Sequence, residues 1–116
     1  MSIDSIVKQK SMAFAKRIVS LYKYLGTEHH EYVMSKQILR SGTSIGANIR
    51  EAKYAHSKAD FVAKLQIALK ECYETEYWLE LMQKAELLPE ETATGYLHNC
   101  GSICRMIIAS INTVKE

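Results

Sequence analysis

The spacing of the apolar residues constrains the fold most, because over most of the chain it follows the period of about 3.6 residues of an α-helix. The alternation with a period of two that half-buried strands require is missing. The chain also has one proline and five glycines, too few for the many turns of a β protein. The sequence therefore predicts an all-α fold.

Two helices are predicted in the first half of the chain. The first runs from about Asp4 to Leu25, and Gly26 is expected to end it in the left-handed conformation. The second helix carries an apolar face that continues in phase through two glycines. The apolar stripes comprise Val7, Phe14, Ile18, Leu21 and Leu25 on the first helix, and Met34, Ile38, Ile45, Ile49 and Ala52 on the second.

Two more helices are predicted in the second half. Ser57, with Asp60 three residues later, is typical of a helix start and places the third helix from near Lys58. The stretch LLPEE, residues 87–91, ends this helix and begins the fourth, because proline is tolerated in the first helical turn and the two glutamates favour its positive end. Four long helices with short connections favour antiparallel neighbours, and so an up-down-up-down four-helix bundle that forms one domain over residues 1–116. The stripes comprise Phe61, Leu65, Ala68, Cys72, Leu79 and Met82, and then Tyr96, Cys100, Ile103, Ile107, Ile111 and Val114.

Composition favours a cytoplasmic protein. The three cysteines are an odd number, and no export signal opens the chain. No uninterrupted apolar run approaches the roughly 18 to 20 residues that a membrane span needs. We therefore expect a reducing compartment and no membrane partner.

Charge is distributed unevenly along the chain, although the net charge is only +2. Residues 1–58 contain 10 basic and 4 acidic side chains, whereas residues 59–116 contain 5 and 9. This asymmetry suits either a basic surface for nucleic acid or an attraction between the two halves. The candidate nucleic-acid-binding residues lie on the first helix and are Lys8, Lys10, Lys16, Arg17 and Lys23.

The stretch RSGTSIGANIREA, residues 40–52, combines two glycines with small hydroxyl residues. A phosphate-binding P-loop is excluded, because the preceding strand and the Gly-Lys-Ser/Thr ending are missing. Gly42 and Gly46 are instead interpreted as helical positions that another element approaches closely. A candidate interhelical polar strip lies beside the apolar face and comprises Arg40, Ser44, Asn48 and Glu51. In a less favoured interpretation, Arg40 and Glu51 of this strip act on a substrate.

The remaining polar residues do not form a recognisable catalytic or metal site. Cys100 and Cys104 are one helical turn apart and would supply only half of a zinc site, so core packing is favoured. The adjacent His29 and His30 are expected in a solvated connection, and the third helix lacks the Glu-x-x-His pair of di-iron bundles. The sequence therefore predicts no enzyme, no cofactor and no small-molecule substrate.

The third helix has more apolar surface than the core of one bundle requires. A second stripe lies about a hundred degrees from the first, as the helical period gives. Such an excess, rich in tyrosine, favours a subunit interface, although a central position of the helix is an alternative. The candidate oligomer-interface residues are Val62, Leu69, Tyr73 and Tyr77.

Short motifs lie on the second and third helices: Arg40-Ser41, Ser44-Ile45, Asn48-Ile49 and Glu51 on the second, and Asp60-Phe61, Ile67-Ala68 and Glu74-Thr75 on the third. With these motifs, the segment from Ile38 to Met82 resembles the four-helix-bundle proteins encoded in intervening sequences of bacterial 23S ribosomal RNA genes. The resemblance covers nearly the whole chain, and its motifs describe packing rather than chemistry. One departure is Glu51-Ala52, where the family has Glu-Gly.

The resemblance implies a bundle that assembles into a ring, commonly a pentamer, with no assigned catalytic residue. Related bundles serve as accessory proteins of diversity-generating retroelements, where a strongly basic pentamer is thought to bind a reverse transcriptase and nucleic acid. Two functions follow as hypotheses for this less basic chain. One is a homo-oligomer that binds RNA, DNA or a nucleoprotein, and the other is a protein-interaction scaffold that binds no nucleic acid.

Overall fold

A computed structural model describes residues 2–115, and within this range the protein consists of four α-helices and no strand. They are α1 (Ser5–His29), α2 (Met34–Ala52), α3 (Lys58–Lys84) and α4 (Glu90–Lys115). The predicted all-α class with four helices is confirmed. The molecule is an elongated rod of 45 × 20 × 19 Å.

The starts of α1 and α3 lie where the sequence predicts them. The Asp4 carboxylate accepts the backbone N–H of Ile6 at 2.8 Å, and the Ser57 hydroxyl accepts that of Asp60 at 3.0 Å. Asp60 in turn accepts the backbone N–H of His56 at 3.2 Å. The bonds from Ile6 and Asp60 satisfy N–H groups that the first helical turn leaves without an intrahelical partner.

The start of α2 depends on Glu31, which the sequence pattern did not reveal. Its carboxylate accepts the backbone N–H groups of Val33, Met34 and Ser35 at 2.9, 2.8 and 2.8 Å. Partial burial alone would raise the pKa of Glu31, but these bonds outweigh it, and the pKa lies below its ordinary value. Glu31 therefore serves α2 as an anionic cap at the positive end of the helix.

The predictions that Gly26 ends α1 and that the helix stops at Leu25 are wrong. The helix continues to His29, and His30 is the residue in the left-handed conformation, with φ of 52°. Gly26 lies inside the helix, where a Cβ atom would be 3.3 Å from the ring of Tyr32. The hydroxyl of Tyr32 also donates to the Gly26 carbonyl at 3.1 Å. Gly26 thus serves a close approach rather than a helix end.

The core is formed by the inward faces of all four helices. α1 packs against α2 and α4, and α3 packs against the same two helices. The predicted stripes of α1 and α3 are buried throughout, and of the other two only Met34 and Val114 remain half-buried. The core also contains four residues outside these stripes, Ile3, Leu88, Ala93 and Cys104.

Small residues of α2 allow α1 to approach closely. A Cβ atom at Gly42 would lie 2.8 Å from Cγ1 of Ile18, and one at Gly46 would lie 3.3 Å from Oγ of Ser11. The stretch 40–52 is continuous helix, as predicted. Among residues 2–115, none of the helices is long and apolar enough to span a bilayer.

Candidate interaction surfaces

The five basic residues of α1 do not all face the same way: three line grooves between α1 and a neighbouring helix, and two line neither groove. Lys16 and Lys23 are exposed and line neither groove. Lys10 and Arg17 line the groove between α1 and α4, and the half-buried Lys8 lines the groove between α1 and α2. The predicted basic residues therefore share one helix but form no single cluster.

The α1–α4 groove has a volume of about 220 Å³. The Arg17 guanidinium lies 4.4 Å from the centroid of the Tyr96 ring, and the Tyr96 hydroxyl donates to the Arg17 carbonyl at 3.0 Å. Lys10 Nζ donates to the Ser102 hydroxyl at 3.4 Å. These contacts orient both cations along the groove without neutralising them.

The α1–α2 groove is larger, with a volume of about 740 Å³. Its floor contains small residues of both helices, and its rim carries basic and aromatic side chains. Met12 and Tyr54 are largely exposed here, at 55% and 68%. The lining residues are Lys8, Ser11, Met12, Ala15, Thr43, Gly46, Ala47, Ile49, Arg50, Glu51, Lys53 and Tyr54.

Of the candidate polar strip on α2, only Arg40 bonds to another helix. Its guanidinium forms ion pairs with Glu71, at 2.9 Å, and with Glu74 on α3. The indole N–H of Trp78 donates to Glu74 at 3.0 Å. The hydrogen bond from this indole N–H is the main cause that holds the pKa of Glu74 below its ordinary value, and Arg40 adds to the effect. The hydrogen bond that Arg40 donates to Glu74 is the main cause that raises the pKa of Arg40.

The other members of the strip have local roles. Asn48 is buried and donates to the carbonyl and hydroxyl of Ser44, at 2.9 and 3.1 Å, within α2. Glu51 is exposed at the α1–α2 groove. Among the described residues, the strip thus holds α2 to α3 at one end, through Arg40.

The second stripe of α3 lies towards α4 and is partly exposed. Val62 and Leu69 are half-buried against the core, whereas Tyr73 and Tyr77 are 50% and 57% exposed. The neighbouring Cys104 of α4 is the main cause that raises the pKa of Tyr73 above its ordinary value. This apolar strip of the described chain is therefore left partly open to water.

Comparison with known proteins identifies the family. The sequence model for the family described as "23S rRNA-intervening sequence protein" matches residues 3–109. The chain belongs to this family. The resemblance carried by the α2 and α3 motifs is thereby confirmed.

A solved structure is similar to this 23S rRNA-intervening sequence family member throughout. It is a crystal structure of a protein of unknown function from the S23 ribosomal protein family of Bacteroides thetaiotaomicron VPI-5482. The two chains are 56% identical, the match covers 93% of this chain and 96% of the other, and the TM-score is 0.92. No curated protein matches the sequence.

Several features of this family member were not found from the sequence. The Thr75 hydroxyl lies 2.9 Å from the Ser41 hydroxyl and 2.7 Å from the Glu71 carbonyl, so a buried polar pair joins α2 to α3. Ser41 and Thr75 both belong to the family motifs, but no feature of the sequence indicated that they contact each other. Lys53 and Tyr54, which follow the last residue of α2 and line the α1–α2 groove, were also missed, because they lie outside the periodic apolar pattern.

The cysteines of this family member are core residues. Cys72, Cys100 and Cys104 are buried, and the Cys100 thiol lies 3.5 Å from the Cys72 carbonyl. Burial is the main cause that raises the pKa of the Cys104 thiol, which disfavours the reactive thiolate. His29 and His30 are exposed, and the Tyr24 hydroxyl lies 3.3 Å from Nε2 of His29.

Proposed function

We propose that this protein is a non-enzymatic homo-oligomer that binds RNA, DNA or a nucleoprotein through the basic side of α1. Nucleic-acid affinity comes largely from lysine and arginine side chains that neutralise phosphates. α1 supplies five such side chains, and four of them are exposed. The cytoplasm, where nucleic acid is abundant, is the proposed location.

The observation that carries this proposal is that none of the ion pairs among residues 2–115 involves a basic residue of α1. Within residues 2–115, the ion pairs are those of Arg40 with Glu71 and Glu74. Electrostatic attraction between the basic and acidic halves of the chain therefore explains the placement of Arg40 but not that of the five cations of α1. Their charge remains available to a polyanion, at the modest strength that a net charge of +2 per chain allows.

We further propose an up-down-up-down bundle that assembles into a ring. Contacts pair Ser11 with Gly46 and Ile18 with Gly42, an order that supports antiparallel α1 and α2. The exposed tyrosines of α3 support self-association, and the family resemblance implies a pentamer. A ring repeats the basic surface in each subunit, so its avidity exceeds the affinity of one chain.

The test is a salt titration of binding to fluorescent RNA and DNA. The triple variant Lys8→Gln, Lys16→Gln, Lys23→Gln removes cations from the outer side of α1 and is expected to stay folded. Wild type should bind weakly per subunit, with a log-log salt slope of about −0.9 per neutralised phosphate for duplex DNA and about −0.7 for single strands. The variant should lose affinity and have a shallower slope.

A protein-interaction scaffold is the second candidate function. The observation that favours it is the partly apolar surface formed by Leu69, Tyr73 and Tyr77, because aromatic residues are enriched at protein interfaces. Failure of wild type to bind nucleic acid at about 50 mM salt, where phosphate contacts are strong, would favour the scaffold. Binding that the triple variant retains with an unchanged slope would remove α1 from the proposal.

A further inference from the structure

We infer that the α1–α2 groove binds single-stranded nucleic acid, with a base stacked on Tyr54 and phosphates held by Lys8, Arg50 and Lys53. This inference deepens the proposed function and rests on it, because it names the form of nucleic acid and a site. It adds three residues, Arg50, Lys53 and Tyr54, that lie outside α1.

Tyr54 is positioned as a stacking platform. It follows the end of α2 in a turn, where its backbone N–H donates to the Glu51 carbonyl at 3.0 Å. The turn fixes the backbone while 68% of the residue stays exposed. Single-strand-binding proteins stack bases on exposed aromatic rings of this kind, whatever the base.

The groove beside Tyr54 has the size and shape for a nucleotide. Its volume of about 740 Å³ falls within the range of about 300 to 1,000 Å³ that is typical of small-molecule sites. Ala15, Gly46 and Ala47 have small side chains that leave the floor of the groove open. Met12 adds a flexible apolar side chain that adapts to different bases. A flat ring can therefore approach the helices closely.

The charges around the groove favour a polyanion over a second copy of the chain. Lys8, Arg50 and Lys53 line it, against a single carboxylate, Glu51. Lys53 Nζ lies 5.5 Å from the centroid of the Tyr54 ring, so a cation and a stacking surface are adjacent. A single strand presents a phosphate beside each exposed base, which matches a cation beside an aromatic ring. In a duplex the bases are stacked inside and cannot reach the ring.

The decisive variants are Tyr54→Ser and Tyr54→Phe, with Tyr32→Ser as the matched control. Tyr32 is also exposed, at 52%, but does not line the groove. The probe is a 20-nucleotide single strand carrying one 2-aminopurine, compared with its duplex. Loss of a stacked base should weaken single-strand binding by Tyr54→Ser by about 5- to 150-fold. Tyr54→Phe and Tyr32→Ser should bind like wild type.

Two further readouts separate stacking from charge. The 2-aminopurine fluorescence should be quenched on binding to wild type and Tyr54→Phe, and much less with Tyr54→Ser, while the salt slope stays unchanged. The double variant Arg50→Gln, Lys53→Gln should instead make the slope shallower by about 0.7 per lost phosphate contact. Duplex affinity should be unaffected by Tyr54→Ser.

The outcomes distinguish this inference from the proposed function. If wild type binds with a salt-dependent slope but Tyr54→Ser keeps full single-strand affinity and quenching, the groove is not the site and the proposed function stands. Equal losses for single strand and duplex would also overturn the stacking site. If wild type binds neither form at about 50 mM salt, both proposals fail.

Discussion

Gly42 of α2 and Ile18 of α1 pack so closely that a Cβ atom at position 42 would lie 2.8 Å from Cγ1 and 2.9 Å from Cγ2 of Ile18. Ile18 is fully buried, and a β-branched side chain on a helix has little rotamer freedom to move aside. The glycine therefore sets how closely the first two helices approach.

Replacing Gly42 by alanine should destabilise the protein. Alanine gains about 0.5 to 1 kcal/mol in the helix. The clash should outweigh this gain and lower the free energy of unfolding by about 1 to 3 kcal/mol overall. Gly95→Ala is the matched control, because nothing lies within 4 Å of its Cβ position, and it should stabilise. Urea denaturation measures both, and a Gly42→Ala variant as stable as Gly95→Ala would contradict the close-packing account.

Replacing Thr75 by valine should lower the free energy of unfolding, because it removes the buried hydrogen bond with Ser41. Valine fills the same volume but cannot bond to the Ser41 hydroxyl, which is fully buried. A buried polar group left without its partner costs about 1 to 3 kcal/mol. Thermal and urea unfolding should show this loss, and adding Ser41→Ala should recover part of it. A double variant with strictly additive losses would rule out coupling between the two hydroxyls.

Replacing Glu74 by glutamine should have an effect that depends on pH. The pKa of Glu74 is lowered in the folded protein, so the carboxylate adds stability above the ordinary value of 4.5, and this contribution is lost as pH falls through the folded value. The variant should therefore be less stable than wild type at pH 7, by up to about 1 kcal/mol for a partly exposed pair. As pH falls below the folded pKa of Glu74, the two should converge. A difference that stays constant from pH 7 to pH 3 would contradict a charge effect.

The double variant Tyr73→Glu, Tyr77→Glu should weaken self-association. Both side chains are about half exposed on one strip of α3, and two carboxylates there would have to be desolvated in an apolar contact. Sedimentation velocity should show smaller species than wild type at the same concentration. A wild-type monomer at micromolar concentration would contradict self-association, and an unchanged multimer of the variant would contradict this placement.

The helices could be predicted from sequence because their apolar stripes are long and in phase. The start of α3 followed from local chemistry, since Ser57 caps within its own turn. The end of α1 could not be predicted in this way. Gly26 lies inside the helix and contacts Tyr32, which lies beyond the helix end, and such a contact depends on how the connection folds back.

The surfaces were harder to predict than the helices. Periodicity places Lys10 and Arg17 on the outside of α1, but only the neighbouring α4 supplies Tyr96 and Ser102 as their partners. Similarly, Tyr54 lies beyond the last periodic residue of α2, so no pattern connects it with Lys8. Pairings between helices depend on their rotation and offset, which a stripe of apolar residues does not specify.

The most direct test of nucleic-acid binding by an oligomer is sedimentation velocity with a fluorescent RNA 20-mer, recorded at the absorbance of the dye. At about 50 mM salt the labelled strand should sediment with a protein multimer, and at about 500 mM it should return to the position of free RNA, since phosphate contacts weaken steeply with salt. A strand that sediments as free RNA at low salt with excess protein would contradict the account.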